Sequence, residues 1–270
     1  MKTVRQLLAS LFVSLGVVLP ASAVTSHIDY SDLWYNAPAE SQAGWGVNVA
    51  QQGEVIFATM FIYDQTNQPH WYVASNVNAT GPNTFSGQLF NIGSGTYFGA
   101  PWVGISGVAA VGNIAFTFNT PTTGTMTYSI NNVPVTKQIV RQSWRVDNLS
   151  GRYIGGVVGS GSSGCGQFGV LINGDLTIAH SQPSISFSVD FFNNFQSNCT
   201  FNGQYSQTGS VGSATGSYQC TCANNACPAF SGTFTMSEMR NTRNGFNGRI
   251  TGQHPNCSYN GFVGGYRDVL

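Results

Sequence analysis

The stretch Ser184–Phe191, Ser-Ile-Ser-Phe-Ser-Val-Asp-Phe, alternates polar and apolar side chains at every position. Successive side chains of a β-strand point to opposite faces, so this stretch predicts a strand with one buried and one wetted face. The same period of two recurs after residue 30, and turn-forming residues interrupt it every 8 to 12 positions or so. Because no window has the periodicity of a helix, we predict an all-β protein.

We expect about eight strand-like segments in each half of the chain. Their predicted starts lie near Leu33, Trp45, Val55, His70, Thr84, Val103, Gly124 and Val135, then near Tyr153, Cys165, Asp175, Ser184, Cys199, Gly216, Phe230 and Gly245, with a ninth at Cys257. Short connections favour two consecutive antiparallel β-barrel domains, and two-sheet sandwiches are the alternative. Charge and turn formers cluster at 145–151, so the domains are predicted at 24–146 and 147–270.

Three dipeptides predict tight hairpin turns. Asn131-Asn132 and Asn173-Gly174 suit a type I′ turn, and Gly209-Ser210 suits a type II′ turn. A short pattern, Thr-Phe-Ser-Gly-Gln at 84–88 and Thr-Phe-Asn-Gly-Gln at 200–204, raises the hypothesis that the halves are duplicates, with chance recurrence as the alternative.

The N-terminus has the three regions of a signal peptide. Lys2 and Arg5 form a basic start, an apolar run covers 7–19, and Ala21-Ser22-Ala23 is a small-residue cleavage site. We therefore predict a leader at 1–23 and a secreted or periplasmic mature protein. No later segment has the ~20 consecutive apolar residues that a membrane-spanning helix needs.

The mature chain is almost uncharged. Loss of Lys2 and Arg5 leaves eight of the ten basic side chains against ten acidic ones, and charged residues make up only 7% of the full sequence. Nucleic acids and anionic membranes attract basic stripes, so this balance argues against both as partners.

All six cysteines lie in the second half, and an even number in an exported protein favours three disulfides. If Gly209-Ser210 is a two-residue turn, Cys199 lies directly opposite Cys220. The short spacing of Cys222 and Cys227 and the terminal positions of Cys165 and Cys257 complete one of the fifteen pairings. A metal site that adds His254 to the thiolates is the alternative, but the spacing fits no zinc module. We predict no metal and no cofactor.

One loop of the first half combines aromatic, amide and carboxylate groups. The candidate ligand-binding residues are Trp34, Tyr35, Asn36, Glu40, Trp45 and Trp71. Aromatic faces beside such polar groups form sugar platforms or the mouths of barrel pockets. The alternative is that these aromatic side chains belong to the core and that the polar ones brace the loop.

Residues 32–48, with Trp34, Asn36, Glu40-Ser41 and Gly44-Trp45-Gly46, then Phe57-Ala-Thr-Met-Phe-Ile-Tyr-Asp64 and Pro69-His-Trp71, resemble a module of uncharacterised bacterial secreted proteins. Its pattern runs D-x-W-W-N, E-S-G-W-G-x-N, F-A-T-W-F-x-Y-D and P-x-W. The chain departs from it at Tyr35 and Met60, where the module usually has Trp. The resemblance implies export and a β-rich fold, and it implies no activity.

These observations predict an exported, non-enzymatic binding or surface-associated protein. Its expected partner is a glycan or a small apolar molecule, bound near the loop between Trp34 and Trp45. One alternative is a cell-envelope hydrolase that uses Glu40 with a second carboxylate. Another is an outer-membrane barrel, which the cysteines and the uncharged polar surface disfavour.

Overall fold

The computed structural model describes residues 28–162, 172–192, 197–223, 228–254 and 256–268. Within them the chain forms sixteen strands in two consecutive closed antiparallel barrels, each of eight strands. The prediction of two barrels, rather than two sandwiches, is therefore confirmed. The predicted leader at 1–23 and the strand predicted near Cys165 lie outside the described residues. No described helix is long and apolar enough to cross a membrane.

The first barrel is an up-and-down array in which β1 closes against β8, with Trp34 opposite Arg141. Its strands are β1 Asp32–Asn36, β2 Gly46–Gln52, β3 Val55–Tyr63, β4 Pro69–Gly81, β5 Thr84–Gly95, β6 Ile105–Phe118, β7 Thr123–Ile130 and β8 Val133–Arg141. Its interior is packed with fully buried side chains, such as Met60, Leu89 and Phe116.

The second barrel repeats this topology, with β9 closing against β16. Its strands are β9 Gly151–Gly161, β10 Ile172–Ser181, β11 Ser184–Phe191, β12 Ser197–Thr208, β13 Val211–Cys222, β14 Phe230–Thr242, β15 Gly245–His254 and β16 Cys257–Arg267. The predicted boundary between the domains falls in the connection that joins β8 to β9.

The alternation at 184–191 has the predicted structural result. Ile185, Phe187, Val189 and Phe191 are all buried in the second barrel, whereas the intervening residues are partly or fully exposed. Since a barrel has one interior, this parity fixes which side chains form the core.

Two of the three predicted turns are confirmed. Asn131 and Asn132 have φ of 49° and 66°, as a type I′ turn requires, and they join β7 to β8. Gly209 has φ of 60°, and the turn places Thr208 opposite Val211.

The turn predicted at Asn173-Gly174 is wrong, because both residues lie inside β10. Gly174 pairs with Gly155 on one side and Phe191 on the other. A Cβ atom on Gly174 would lie 2.5 Å from the carbonyl oxygen of Asp190. The glycine thus permits close approach of a neighbouring strand rather than a reversal of the chain.

The Cys199–Cys220 disulfide is present, and its two residues are direct cross-strand partners, as predicted. Cys222 and Cys257 are also disulfide-bonded. Cys165 and Cys227 lie outside the described residues, so the other two predicted pairings stay predictions.

The seams of the two barrels share one arrangement. In the first, the Trp34 indole N–H donates to the carbonyl of Tyr30, and the Arg141 guanidinium lies 4.9 Å from the Trp34 ring. In the second, the Tyr153 hydroxyl donates to the carbonyl of Leu149, and the Arg267 guanidinium lies 4.9 Å from the Tyr153 ring.

The five-residue pattern behind the duplication hypothesis does not lie at equivalent positions in the two barrels. Residues 84–88 lie on the fifth strand of the first barrel, whereas residues 200–204 lie on the fourth strand of the second. The matching seams therefore support the hypothesis better than the short pattern does.

Arg141 joins the two barrels. Its fully buried guanidinium donates to Asp32 Oδ2 at 3.0 Å and to the carbonyls of Asp29 and Pro121 at 2.7 and 2.6 Å. Asp32 Oδ2 also accepts the backbone N–H and the hydroxyl of Ser210, both at 2.9 Å. The tip of the β12–β13 hairpin is thereby fixed against the end of the first barrel.

Burial and the nearby Arg240 lower the pKa of Arg141 to about 10. The guanidinium nevertheless stays protonated at neutral pH, because a pKa of about 10 lies well above it. The joint is therefore a buried ion pair whose donors and acceptors are closely matched.

We predict that Arg141→Met lowers the free energy of unfolding by about 3–5 kcal/mol, because it removes the buried cation that pairs with Asp32 and the donor to the carbonyl of Pro121. Chemical denaturation followed by circular dichroism measures the change. Arg145→Met is the control, since the Arg145 side chain is 82% exposed and, among the described residues, forms an ion pair with Asp147 alone. Equal stability of the two variants would contradict the role assigned to Arg141.

Candidate functional site

The two ends of the first barrel have different surroundings. In an up-and-down barrel alternate connections lie at the same end. The chain entry at Asp29, the β6–β7 connection at Pro121 and the end of β8 meet the second barrel. The β1–β2, β3–β4, β5–β6 and β7–β8 connections therefore lie at the opposite end, which we call the free end.

The structure separates the three tryptophans of the predicted site. Trp34 is fully buried beside Tyr30 and Arg141, near the joint. Trp45 is half-buried at the free end, and Trp71 lies on the outer wall, 46% exposed. They do not converge on one pocket, and Trp34 has no surface to offer a ligand.

Trp45 anchors the loop at the free end. Its ring packs against the barrel core, and Lys137 Nζ lies 5.6 Å from the ring centroid. The same ammonium donates to Gln42 Oε1 at 2.6 Å. These contacts tie the loop to β8 across the barrel mouth.

The polar residues of the predicted site brace this loop. The Asn36 amide donates to the carbonyl of Ala37 and to the Ser41 hydroxyl. Glu40 lies at the exposed tip with φ of 63°. Asn36 thus has a structural role, while the Glu40 carboxylate faces solvent.

A cluster of exposed aromatic side chains lies on the outer wall along β3 and β4, from Phe57 near the joint to Tyr63 at the free end. We call this cluster the aromatic face and define it as Phe57, Phe61, Tyr63 and Trp71, which are 45–53% exposed. Phe61 and Trp71 are direct cross-strand partners on β3 and β4. Since the rings at 61 and 63 are two residues apart, they lie ~7 Å apart along one strand.

Tyr35 lies on the same outer row as Phe61 and Trp71. Trp34 pairs with Val47, which puts Tyr35 beside Gly46, and Gly46 pairs with Phe61. A Cβ atom on Gly46 would find its nearest neighbour at 3.5 Å, so packing does not demand glycine here. Gly46 thus presents no side chain between Tyr35 and Phe61 on this outer row.

The strands that form the aromatic face and flank it on the wall carry no charged side chain. Strands β2 to β5 contain no Asp, Glu, Lys or Arg. Polar neighbours on the same outer surface are neutral, such as Asn48 and Thr59, which are paired across β2 and β3. A ligand here would meet flat apolar rings with neutral hydrogen-bonding groups beside them.

Comparison of the chain with the models of known protein families and with curated proteins gives no match. The resemblance to the bacterial secreted module therefore stays a prediction.

The sequence-based site includes Trp71 and Tyr35 but omits Phe57, Phe61 and Tyr63. The omitted residues share one parity on β3, while Ile56, Ala58 and Met60 of the other parity are buried. The sequence signal for these exposed residues is that β3 is apolar on both faces. Only one face of a strand can line the barrel interior, so the other apolar face must lie on the outer wall.

Among the described residues, no group of three or more His, Cys, Asp or Glu side chains could hold a metal ion. His180, in the second barrel, is the titratable group with the most distinctive surroundings. Its Nδ1 accepts the backbone N–H of Leu149 at 3.3 Å, and its ring lies edge-on to Tyr205 at 4.6 Å. Burial lowers the pKa of the His180 imidazole.

We predict that His180 makes the protein less stable in mild acid. A lowered folded pKa means that the unfolded chain binds the proton more readily, so stability falls as pH drops below the ordinary histidine value of about 6.5. His180→Asn keeps an acceptor near Nδ1 and removes the titration. Thermal melts from pH 7.5 to 5 should show a smaller loss for this variant, and identical profiles would contradict the assignment.

Proposed function

We propose that the protein is an exported, non-catalytic binding protein that holds a neutral glycan on the aromatic face of its first barrel. The observation that carries the proposal is the exposed pair of cross-strand partners Phe61 and Trp71, extended by Tyr63 and flanked by Tyr35. The Cys199–Cys220 disulfide supports the exported part, because such bonds persist in oxidising compartments.

Aromatic rings suit sugars because the C–H groups of a pyranose form an apolar face that stacks on a ring, while its hydroxyls stay in contact with water and amides. Large exposed apolar patches on single soluble domains mark interaction surfaces. A row of rings that follows the barrel wall matches an extended chain of sugars better than one compact ligand.

The lack of charged side chains on strands β2 to β5 favours a neutral ligand over an anionic polymer or membrane, which would need basic side chains. Side chains such as Ile56, Met60 and Leu89 fill the barrel interior, which disfavours an apolar molecule held there as in hollow barrels. A surface-bound glycan is therefore preferred to the small apolar ligand.

The two alternatives lack a favouring observation in the described part of the chain. Glu40 projects from an exposed loop rather than into a cleft. Outer-membrane barrels have polar interiors, whereas both interiors here are apolar.

We predict that Trp71→Ala weakens glycan binding at least tenfold, about 1.4 kcal/mol, with unchanged stability. Affinity electrophoresis against soluble cellulose, xylan, β-1,3-glucan and glycol chitin measures the effect. Trp144→Ala is the matched control, since Trp144 is 74% exposed and lies outside the aromatic face.

A second variant, Phe61→Ala, should weaken binding to the same polysaccharide as Trp71→Ala does. No retardation by any of the four polysaccharides, or equal retardation of the Trp71 and Trp144 variants, would refute the proposal.

A further inference from the structure

A groove of about 570 Å³ opens between the two barrels, beside the Arg141 joint. Asp29 and Pro121 line it from the first barrel, and Glu238, Asn241, Arg249 and Phe262 line it from the second. Small-molecule sites have volumes of about 300–1,000 Å³ and often form where two domains meet.

Strand β14 is distorted where it lines this inter-barrel groove. Its pairing with β15 shifts between Ser237 and Arg240, and Glu238 adopts φ of 54°. Residues other than Gly, Asn and Asp seldom take this conformation, and a bulge changes the direction of a side chain. Here Glu238 Oε2 accepts Arg249 Nε at 3.0 Å.

The guanidinium of Arg249 has hydrogen-bond donors that no described residue uses. Its guanidinium lies 4.7 Å from the Phe262 ring centroid, which holds the plane of the group. Within the described residues, its two terminal nitrogens donate no hydrogen bond, and Glu238 Oε1 accepts none. Two parallel donors and one carboxylate oxygen are thus available side by side, above a half-exposed aromatic ring.

Asn241 has a polar side-chain atom that lacks a hydrogen-bond partner among the described residues. This atom is Oδ1, and it is buried. Buried polar atoms almost always have a partner, so this oxygen calls for a donor. Asn241 is also one of the residues that line the groove.

The charges that line the groove balance. Arg240 and Arg249 face Asp29 and Glu238, and Arg240 already donates to the Ser210 hydroxyl and to the carbonyl of Asp29. This balance favours a neutral ligand that both donates and accepts hydrogen bonds over a simple anion.

We infer that the inter-barrel groove binds a neutral mono- or disaccharide. Adjacent hydroxyl oxygens accept from the terminal nitrogens of Arg249, another hydroxyl donates to Glu238, and the apolar sugar face packs against the part of the Phe262 ring that Arg249 leaves exposed. This site is separate from the aromatic face and does not depend on the function proposed for it.

Calorimetric titration of the full protein tests the inference, with cellobiose, maltose, N,N′-diacetylchitobiose and sodium sulfate as probes. The titrations use the Trp71→Ala background, which weakens binding at the aromatic face. At least one of the sugars should bind, and adding Arg249→Gln should lower its association constant at least tenfold. Arg152→Gln, at a largely exposed arginine, is the control and should leave it unchanged.

Glu238→Gly separates binding from folding. Glycine adopts positive φ without strain, and this relief offsets the loss of the partly exposed Glu238–Arg249 ion pair, so the variant should melt close to the parent. It should bind the sugar at least tenfold more weakly. Retained binding would overturn the inference. Absence of heat with all three sugars, or Arg249-dependent binding of sulfate alone, would overturn it as well.

Discussion

The closure of the first barrel and its contact with the second barrel both involve the buried, positively charged side chain of Arg141. Arg141 ends the last strand of the first barrel, stacks on Trp34 of the first strand, and donates to the carbonyls of Asp29 and Pro121 at that end. Through Asp32 it also fixes the Gly209-Ser210 turn of the second barrel. Closure of one barrel and attachment of the other are therefore properties of the same side chain.

Most of the fold follows from parity and turn chemistry. Alternation at 184–191 identifies the buried residues, and the position of the Gly209-Ser210 turn alone places Cys199 opposite Cys220. The same reasoning fails at Asn173-Gly174, because a glycine that opens a turn and a glycine that admits a neighbouring strand look alike in sequence. The neighbour, Asp190, is known only once the strands are paired.

The site was harder to predict for a related reason. Trp34 and Tyr35 are adjacent, so they must face opposite sides of the wall, but sequence alone leaves open which of the two points inward. The pairing of strands in the closed barrel points Trp34 into the interior, whereas Trp71 lies on the outer wall. The joint and the inter-barrel groove could not be predicted at all, because Arg141 lies 109 residues from Asp32 and 69 from Ser210.

The Gly209-Ser210 turn also has a consequence for the order of assembly. A Cβ atom on Gly209 would lie 2.6 Å from both Arg141 Cβ and Asp32 Oδ2, so only glycine lets the hairpin tip pack this closely against the first barrel. A chain that emerges from its N-terminus presents Arg141 to water first, and the hairpin that covers it arrives 69 residues later. During synthesis, the residues of the first barrel that contact the β12–β13 hairpin therefore emerge before the hairpin itself.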